Sequence, residues 1–438
     1  MSEFSELYRA HVATLVDRTS KALEAAGFER VVIYAGDLAP QSRFDDLEHP
    51  FRAVPAYAHW VPWAWPGSAL VLEKGRAAKL YARARTDFWE KLEAPHAELV
   101  RSAIEVEEIT DLAPVREVAR KPRSAFVGEP TEIGRELGFD ETDINDPGLV
   151  EQLHELRVRK TPYEVETLAG ANRRAVRGHR AIEAAFRAGE RSELKLHLAY
   201  LSAIEQDDAE TPYKNIVALG EAAAVLHHHH YGTRPQAPSL LVDAGASMRG
   251  YGADITRTYV VDGDSSGFGP LIEAMERLQR DVIARIEVGL GYEALHDYAH
   301  VLLGKVLVEA GLVRCSPEAA VELGITRVFL PHGLGHALGV QVHDVGCRKV
   351  APRPENAFLR NTRTIEAGQV FTIEPGLYFI DALLEPLRTG PTSEAMVWDA
   401  IDPLRPYGGI RIEDNVYVLD AEAPPRIRNL TRDAFSRV

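Results

Sequence analysis

The stretch LVDAGASMRGYGADITRTY, Leu241 to Tyr259, has the apolar and β-branched pattern of two strands, yet it spends two strand positions on aspartates, Asp243 and Asp254. In a strand, residues two apart share a face, so Asp254, Thr256 and Thr258 lie together on one side. The run GIRIEDNVYVL, 409 to 419, repeats the arrangement: Ile410 and Ile412 face one way, while Arg411, Glu413 and Asn415 face the other. VDAG at 242 to 245 also has the same shape as IEPG at 373 to 376, which hints at an internal duplication carrying four carboxylates, Asp243, Asp254, Glu374 and Glu413, as two pairs. Four such groups on converging faces repel one another in a low-dielectric interior. Divalent cations remove the repulsion, and two metals about 3.5 to 4 Å apart are a hydrolytic device that polarises a carbonyl oxygen and shares a water.

Any single acid here reads more simply as a solvated or ion-paired strand residue. The stretch PHGLGHALGVQVHDVG, Pro331 to Gly346, changes the balance. It places His332, His336 and His343 within twelve positions, among glycines and between the two carboxylate pairs. Its glycines make it unlike the helix of a His-Glu-x-x-His zinc site, although His332 and His336 are four apart. The run His227 to His230 reads equally well as an exposed loop and as part of a site.

The remaining sequence sets the frame. A chain of 438 residues predicts two domains, and its 45% hydrophobic and 26% charged content is that of a soluble globular protein. The formal net charge of −15, from 50 basic and 65 acidic residues, comes without a dense Lys/Arg run, so no nucleic acid partner is expected. Cys315 and Cys347 are too few for a disulfide framework, which suits a reducing cytoplasm. No signal peptide is expected from MSEFSELYRAH, and no segment approaches the ~18 apolar residues of a membrane span.

Residues 7 to 25 predict an amphipathic helix, followed by a buried strand in RVVIYAGD, and helix and strand then alternate as in an α/β domain. The polar stretch GFDETDINDPG, 138 to 148, precedes Thr161, Pro162 and Glu164, which have the spacing of a helix start closed by a capping box. Two domains are therefore expected: an α/β domain over residues 1–159, and an α+β domain over 160–438 with helices at 163 to 206, 270 to 286 and 293 to 310.

VDAG with ADITRT, HGLGH with VHD, IEPG, and GIRIED, in this order, resemble the pita-bread metallopeptidases. LYRAHVATL at 7 to 15 and TPYKNIVAL at 211 to 219 extend the likeness to the bacterial Xaa-Pro dipeptidases (prolidases) over nearly the whole chain. The resemblance implies a carboxy-terminal pita-bread (creatinase/aminopeptidase-like) catalytic domain. It implies two divalent cations, with Asp243 and Asp254 on one, His336 and Glu374 on the other, and Asp254 and Glu413 bridging. It gives His227 a place near the substrate, His343 a donor role toward the peptide carbonyl, and Arg411 a place beside Glu413. Arg360 matches the arginine that holds the substrate's free carboxylate, while His332 and Tyr213 match pocket-lining residues. Asp46 matches a residue that reaches the active site of a partner subunit, so the amino-terminal domain is expected to serve dimerisation and substrate access.

The reaction implied is hydrolysis of Xaa-Pro dipeptides, with Glu374 moving the proton and Mn²⁺ as the expected metal, Zn²⁺ and Co²⁺ also fitting an oxygen-rich set with one imidazole. Aminopeptidase P-like cleavage of longer peptides is the alternative, and phosphotriester hydrolysis a side activity. The run EAAAVLHHHHYG departs from the family's single histidine followed by tyrosine, and the segment between Val345 and Phe358 is shorter than in several relatives. Both bear on pocket shape and the preferred Xaa.

Overall fold

The computed structural model describes residues 3–63, 65–84, 96–420 and 426–437. Two compact units divide the chain, Met1–Thr167 and Leu168–Val438. The helix Pro162–Arg187 starts where its sequence signature places it. The Thr161 N–H donates to Glu164 Oε2 at 2.8 Å, and the Glu164 N–H approaches Thr161 Oγ1 at 3.5 Å, the reciprocal pair of a capping box. The division between the units falls inside this helix.

In the first unit the helix Glu3–Ala26 precedes a five-stranded mixed sheet. Its strands are β1 (Arg30–Tyr34), β2 (Ala69–Glu73), β3 (Lys79–Arg83), β4 (Glu105–Ile109) and β5 (Ser124–Val127), in the order β4-β3-β2-β1-β5. β1 runs parallel to β5 and antiparallel to β2. Its Val31, Val32 and Ile33 are fully buried, so both faces of the sheet centre are covered, as the continuous apolar run predicts.

The second unit contains β6 (Ile216–Leu219), β7 (Ser239–Asp243), β8 (Ser247–Met248), β9 (Tyr251–Gly252), β10 (Thr256–Val260), β11 (Val370–Ile373), β12 (Gly376–Tyr378), β13 (Gly409–Arg411), β14 (Asp414–Val418) and β15 (Ile427–Asn429). They form small antiparallel sheets, β10-β7-β6, β11-β14-β15, β12-β13 and β8-β9. The two-residue period divides β6 and β7 between two cores. Ala218 and Leu241 pack with the helices Phe268–Ala284 and Tyr292–Glu309, whereas Val217, Leu219 and Val242 pack with Tyr200 and Ile204 of the helix Glu193–Ile204. Ile410 and Ile412 enter the first of these cores, as their alternation predicts.

The acids do not sit at interior strand positions. Asp243 ends β7, Asp254 lies two residues before β10, Glu374 directly follows β11, and Glu413 stands between β13 and β14. At these points the chain leaves the regular ladder. The Glu413 N–H instead donates to the Thr256 carbonyl at 3.0 Å in an isolated bridge. Interrupting the ladder frees each side chain from strict alternation, which is how groups from separate sheets reach one point.

Behind this region Asp414 is fully buried and accepts from Arg257 Nη2 at 2.6 Å, Arg432 Nε at 2.8 Å and Asn429 Nδ2 at 2.8 Å. Arg257 Nη1 also donates to the carbonyls of Thr256 and Glu413, both at 2.8 Å, and so ties β10 to the start of β14. Asp414→Ala leaves the buried Arg257 without its counter-charge. It is expected to lower unfolding free energy by about 3 to 5 kcal/mol in denaturant titrations, far more than loss of an exposed pair such as Lys21 with Asp17.

Candidate active site

Three side chains carried by separate segments meet in the interior. Asp254, His336 and Glu413, all buried, each offer a ligand atom, and these atoms lie within 4.8 Å of one another. His336 Nε2 is 3.4 Å from Asp254 Oδ2 and 3.5 Å from Glu374 Oε1. Asp243 joins through Tyr213, whose hydroxyl is 2.7 Å from Asp243 Oδ1 and 2.6 Å from Asp254 Oδ1. Asp243 and Glu374 are partly exposed, so one side of the cluster is open to solvent.

Each group is held by its neighbours. The segment from Gly335 to Ala337 runs alongside β11: the His336 N–H donates to Thr372 Oγ1 at 3.0 Å and the Thr372 N–H to the His336 carbonyl at 2.9 Å. A Cβ on Gly335 would stand 2.2 Å from the Thr372 carbonyl oxygen, so only glycine allows this approach. Glu413 Oε2 accepts from Thr256 Oγ1 at 2.7 Å, and Asn415 Oδ1 accepts from the Asp254 N–H at 3.1 Å. Arg411 Nη2 donates to Asp243 Oδ2 at 2.6 Å, and its Nη1 to the Tyr378 hydroxyl at 2.7 Å. That hydroxyl also lies 2.9 Å from His332 Nε2.

The electrostatics fit bound cations. Burial pushes Glu374 up to about 7, and burial with the charges of Asp254, Glu374 and Asp243 raises Glu413 well above the usual carboxyl range. Asp243 is raised by burial, against the pull of Arg411. Asp254 alone is lowered, because His336 and Tyr213 outweigh its burial. Tyr213 has a single proton, so it can donate to only one of the two aspartates. Its short distance to both requires the second carboxyl to carry a proton or both oxygens to face a cation. A carboxylate and imidazole donor set matches divalent ions held by oxygen and nitrogen.

The other expected residues fall into two groups. His343 packs edge-on against His336 at 4.4 Å between ring centres, and burial, His336 and Arg360 hold it down near 4, so it is neutral at physiological pH. Arg360 and His227 are exposed but close enough to act on His343. Within the histidine run, His228 pairs with the buried Glu193 at 3.0 Å, which gives it a structural partner, while His227 and His229 stack in parallel and remain exposed. Asp46 belongs to the first unit, where it is exposed between Phe44 and Leu47. Tyr378 and Thr372 were not anticipated, while Thr256 was placed on the face of Asp254 without its role as donor to Glu413. Tyr378 ends β12, a strand separate from β11, so no strand alternation from Glu374 could have marked it.

Metal-free protein carries a pH signature. Glu374, Glu413 and Asp243 have folded-state pKa values above their unfolded ones, so the stability they contribute is present at low pH and is lost as pH rises from about 4 through 7. Glu413→Gln is therefore expected to raise the thermal midpoint of the chelated protein at pH 7.5 while reducing its gain on adding Mn²⁺. Cation binding by the wild type should release protons, with apparent affinity rising from pH 5.5 to 7.5, as measured calorimetrically in buffers of different ionisation enthalpy.

Comparison with known proteins identifies the family. The family described as metallopeptidase family M24 matches residues 166–420, and the Xaa-Pro dipeptidase N-terminal domain matches residues 6–154. The chain is 40% identical to an Xaa-Pro dipeptidase of Xanthomonas axonopodis pv. citri, over 99% of this chain and 98% of the relative. It is 42% identical to one from Marinobacter nauticus, over 98% of each. Among solved structures, aminopeptidase P from Escherichia coli with the inhibitor Pro-Leu superposes with a TM-score of 0.72 at 21% identity, covering 96% of this chain and 94% of that one. Proline aminopeptidase P II from Yersinia pestis gives 0.71 at 22%, covering 96% of each chain. The fold is thus the pita-bread fold with an amino-terminal domain, and the chain belongs to metallopeptidase family M24.

Proposed function

We propose that this protein is a metal-dependent dipeptidase that cleaves Xaa-Pro dipeptides into a free amino acid and proline. The observation that carries the reading is the meeting of Asp254, His336 and Glu413, with Asp243 and Glu374 beside them, in a chain matched end to end by Xaa-Pro dipeptidases. Asp243, Asp254, His336, Glu374 and Glu413 would hold two divalent cations, Mn²⁺ by preference for a hard, oxygen-rich set, with Zn²⁺ or Co²⁺ as substitutes. When bound, the cations supply an activated water and polarise the scissile carbonyl.

The chain's own groups do the rest. Glu374, partly exposed beside His336, would accept a proton from the attacking water at its carboxylate and pass it to the proline nitrogen. His343, neutral and therefore carrying one N–H, donates to the carbonyl oxygen as negative charge develops there. Arg411 fixes the Asp243 carboxylate and, through Tyr378, the orientation of His332. Tyr213 and His332 line the pocket, and His227 stands near the substrate's carboxylate.

Arg360 holds the free carboxylate of the proline residue through its planar fork, which makes a third residue unwelcome. Loss of a charge-assisted bond of about 1.5 to 3 kcal/mol corresponds to about a ten- to hundredfold fall in kcat/KM. Arg360→Ala is expected to show that fall on Xaa-Pro with metal content unchanged, and to erase the disadvantage of Xaa-Pro-amide seen in the wild type. A wild type that cleaves Xaa-Pro-Yaa as fast as Xaa-Pro would move the protein to the aminopeptidase P reading. Phosphotriester hydrolysis fits the same centre as a side activity.

A cytoplasmic homodimer completes the proposal. Phe44 and Leu47 are 84% and 57% exposed on either side of Asp46, an apolar display suited to a partner subunit whose site Asp46 would enter. Cys315 and Cys347 are both free thiols, and among the described residues no helix is long and apolar enough to cross a membrane. Asp46→Ala should lower kcat/KM without changing metal content, and sedimentation of a fully active monomer would overturn the shared site.

A further inference from the structure

The helix Tyr292–Glu309 carries His296 and His300 one turn apart on its buried face, 3% and 1% exposed. Their Nε2 atoms are 3.3 Å apart. The ring centres are only 4.6 Å apart and the planes are inclined at 80°, so the rings converge at an angle instead of meeting head-on as in a straight hydrogen bond. Both Nδ1 atoms are buried without a hydrogen-bond partner among the described residues. A hydrogen bond between the rings needs a proton on one Nε2, whereas with both protons on Nδ1 the two neighbouring Nε2 lone pairs are free for one ion. Two ligands of a tetrahedral ion at about 2.0 to 2.1 Å lie about 3.4 Å from each other, close to the spacing found.

We propose that His296 and His300 chelate one borderline transition-metal ion of the Zn²⁺ or Ni²⁺ class, at a site separate from the carboxylate-rich centre. Both rings line a cavity of about 270 Å³ together with His332, Arg327, Asn356 and Leu359, which gives room for the waters that complete the coordination shell. A nitrogen pair selects Zn²⁺, Ni²⁺ or Cu²⁺ over the hard Mn²⁺ that suits the carboxylates. Burial keeps both imidazoles neutral, His296 down to about 4 and His300 to about 2, so protons do not compete for the lone pairs at neutral pH. Arg327 opposes a cation here, while Glu293 and Asp297 on the same helix favour it, though both carboxylates are also engaged by Arg353 and Asn356. Leu359, which lines the cavity, adjoins Arg360 in sequence, so the site would neighbour the segment that carries the proposed carboxylate clamp.

Equilibrium dialysis of chelated protein against fixed free Zn²⁺ tests the assignment. His300→Asn and His296→Gln should each bind one ion fewer per chain than wild type. The same loss should appear in an Asp254→Asn background, where the carboxylate centre is already disabled, so that a wrong reading of that centre leaves this result intact. His229→Ala with His230→Ala should retain the ion, which separates the site from the exposed histidine run. The Co²⁺ derivative of the Asp254→Asn protein should show tetrahedral d–d absorption that His300→Asn abolishes. Equal Zn²⁺ content in wild type and both histidine variants, each with unchanged circular dichroism, would overturn the site and leave an internal hydrogen-bonded pair.

Discussion

Mutual repulsion among carboxylates gathered in the interior is the constraint on which the second unit depends. Asp243, Asp254, Glu374 and Glu413 are brought together by β7, β10, β11 and the turn between β13 and β14, and the chain alone does not neutralise them. Arg411 places its guanidinium on the Asp243 carboxylate, whereas Arg257 reaches Glu413 only at its backbone carbonyl. The fold is thus built around a charge deficit that only mobile cations complete. Cation binding should consequently be worth more to stability at neutral pH than a preformed ion pair of similar size, since each ion relieves several repulsions at once.

Holding such a cluster requires that its members cannot swing away. The supporting groups are small and hydrogen-bonded: Thr256 to Glu413, Thr372 to His336, and Asn415 to the backbone of Asp254. Asn415 in turn is fixed by Thr431 of the last helix, Leu430–Phe435, whose hydroxyl donates to Asn172. Residues from 16 to 259 positions apart in sequence therefore share one network, and the site inherits its precision from the core rather than from loops.

Much of this was legible because its causes are local. Alternation in GIRIEDNVYVL separated Ile410 and Ile412 from the polar face, and the Thr161 to Glu164 spacing marked a helix start, since both depend on residues a few positions apart. The ordered motifs marked the chemistry because each needs its glycine and its acid at a fixed offset. Local pattern missed the breaks in the ladder at Asp254 and Glu413, because a strand interruption depends on the partner strand. It also missed the different fates of His227 and His228, which depend on the distant Glu193. Tyr378 was not readable either, because its partners Arg411 and His332 come from other segments.

Glu413 and Asp414 show how structural and chemical acids are separated within one dipeptide. Both are buried to 2% or less, so desolvation acts on both in the same direction. Asp414 nevertheless lies well below the ordinary carboxyl range and Glu413 well above it. The two side chains face surroundings that differ in kind. Asp414 looks onto Arg257 and Arg432, cations fixed to the chain, and is ionised at all physiological pH. Glu413 looks onto Asp254, Glu374 and Asp243, whose charges add to burial in disfavouring its anion, so a cation arriving from solution is what would favour it. Burial alone therefore does not distinguish a structural acid from a reactive one. The distinction lies in whether its counter-charge is covalently part of the fold, and at this dipeptide one peptide bond carries both answers.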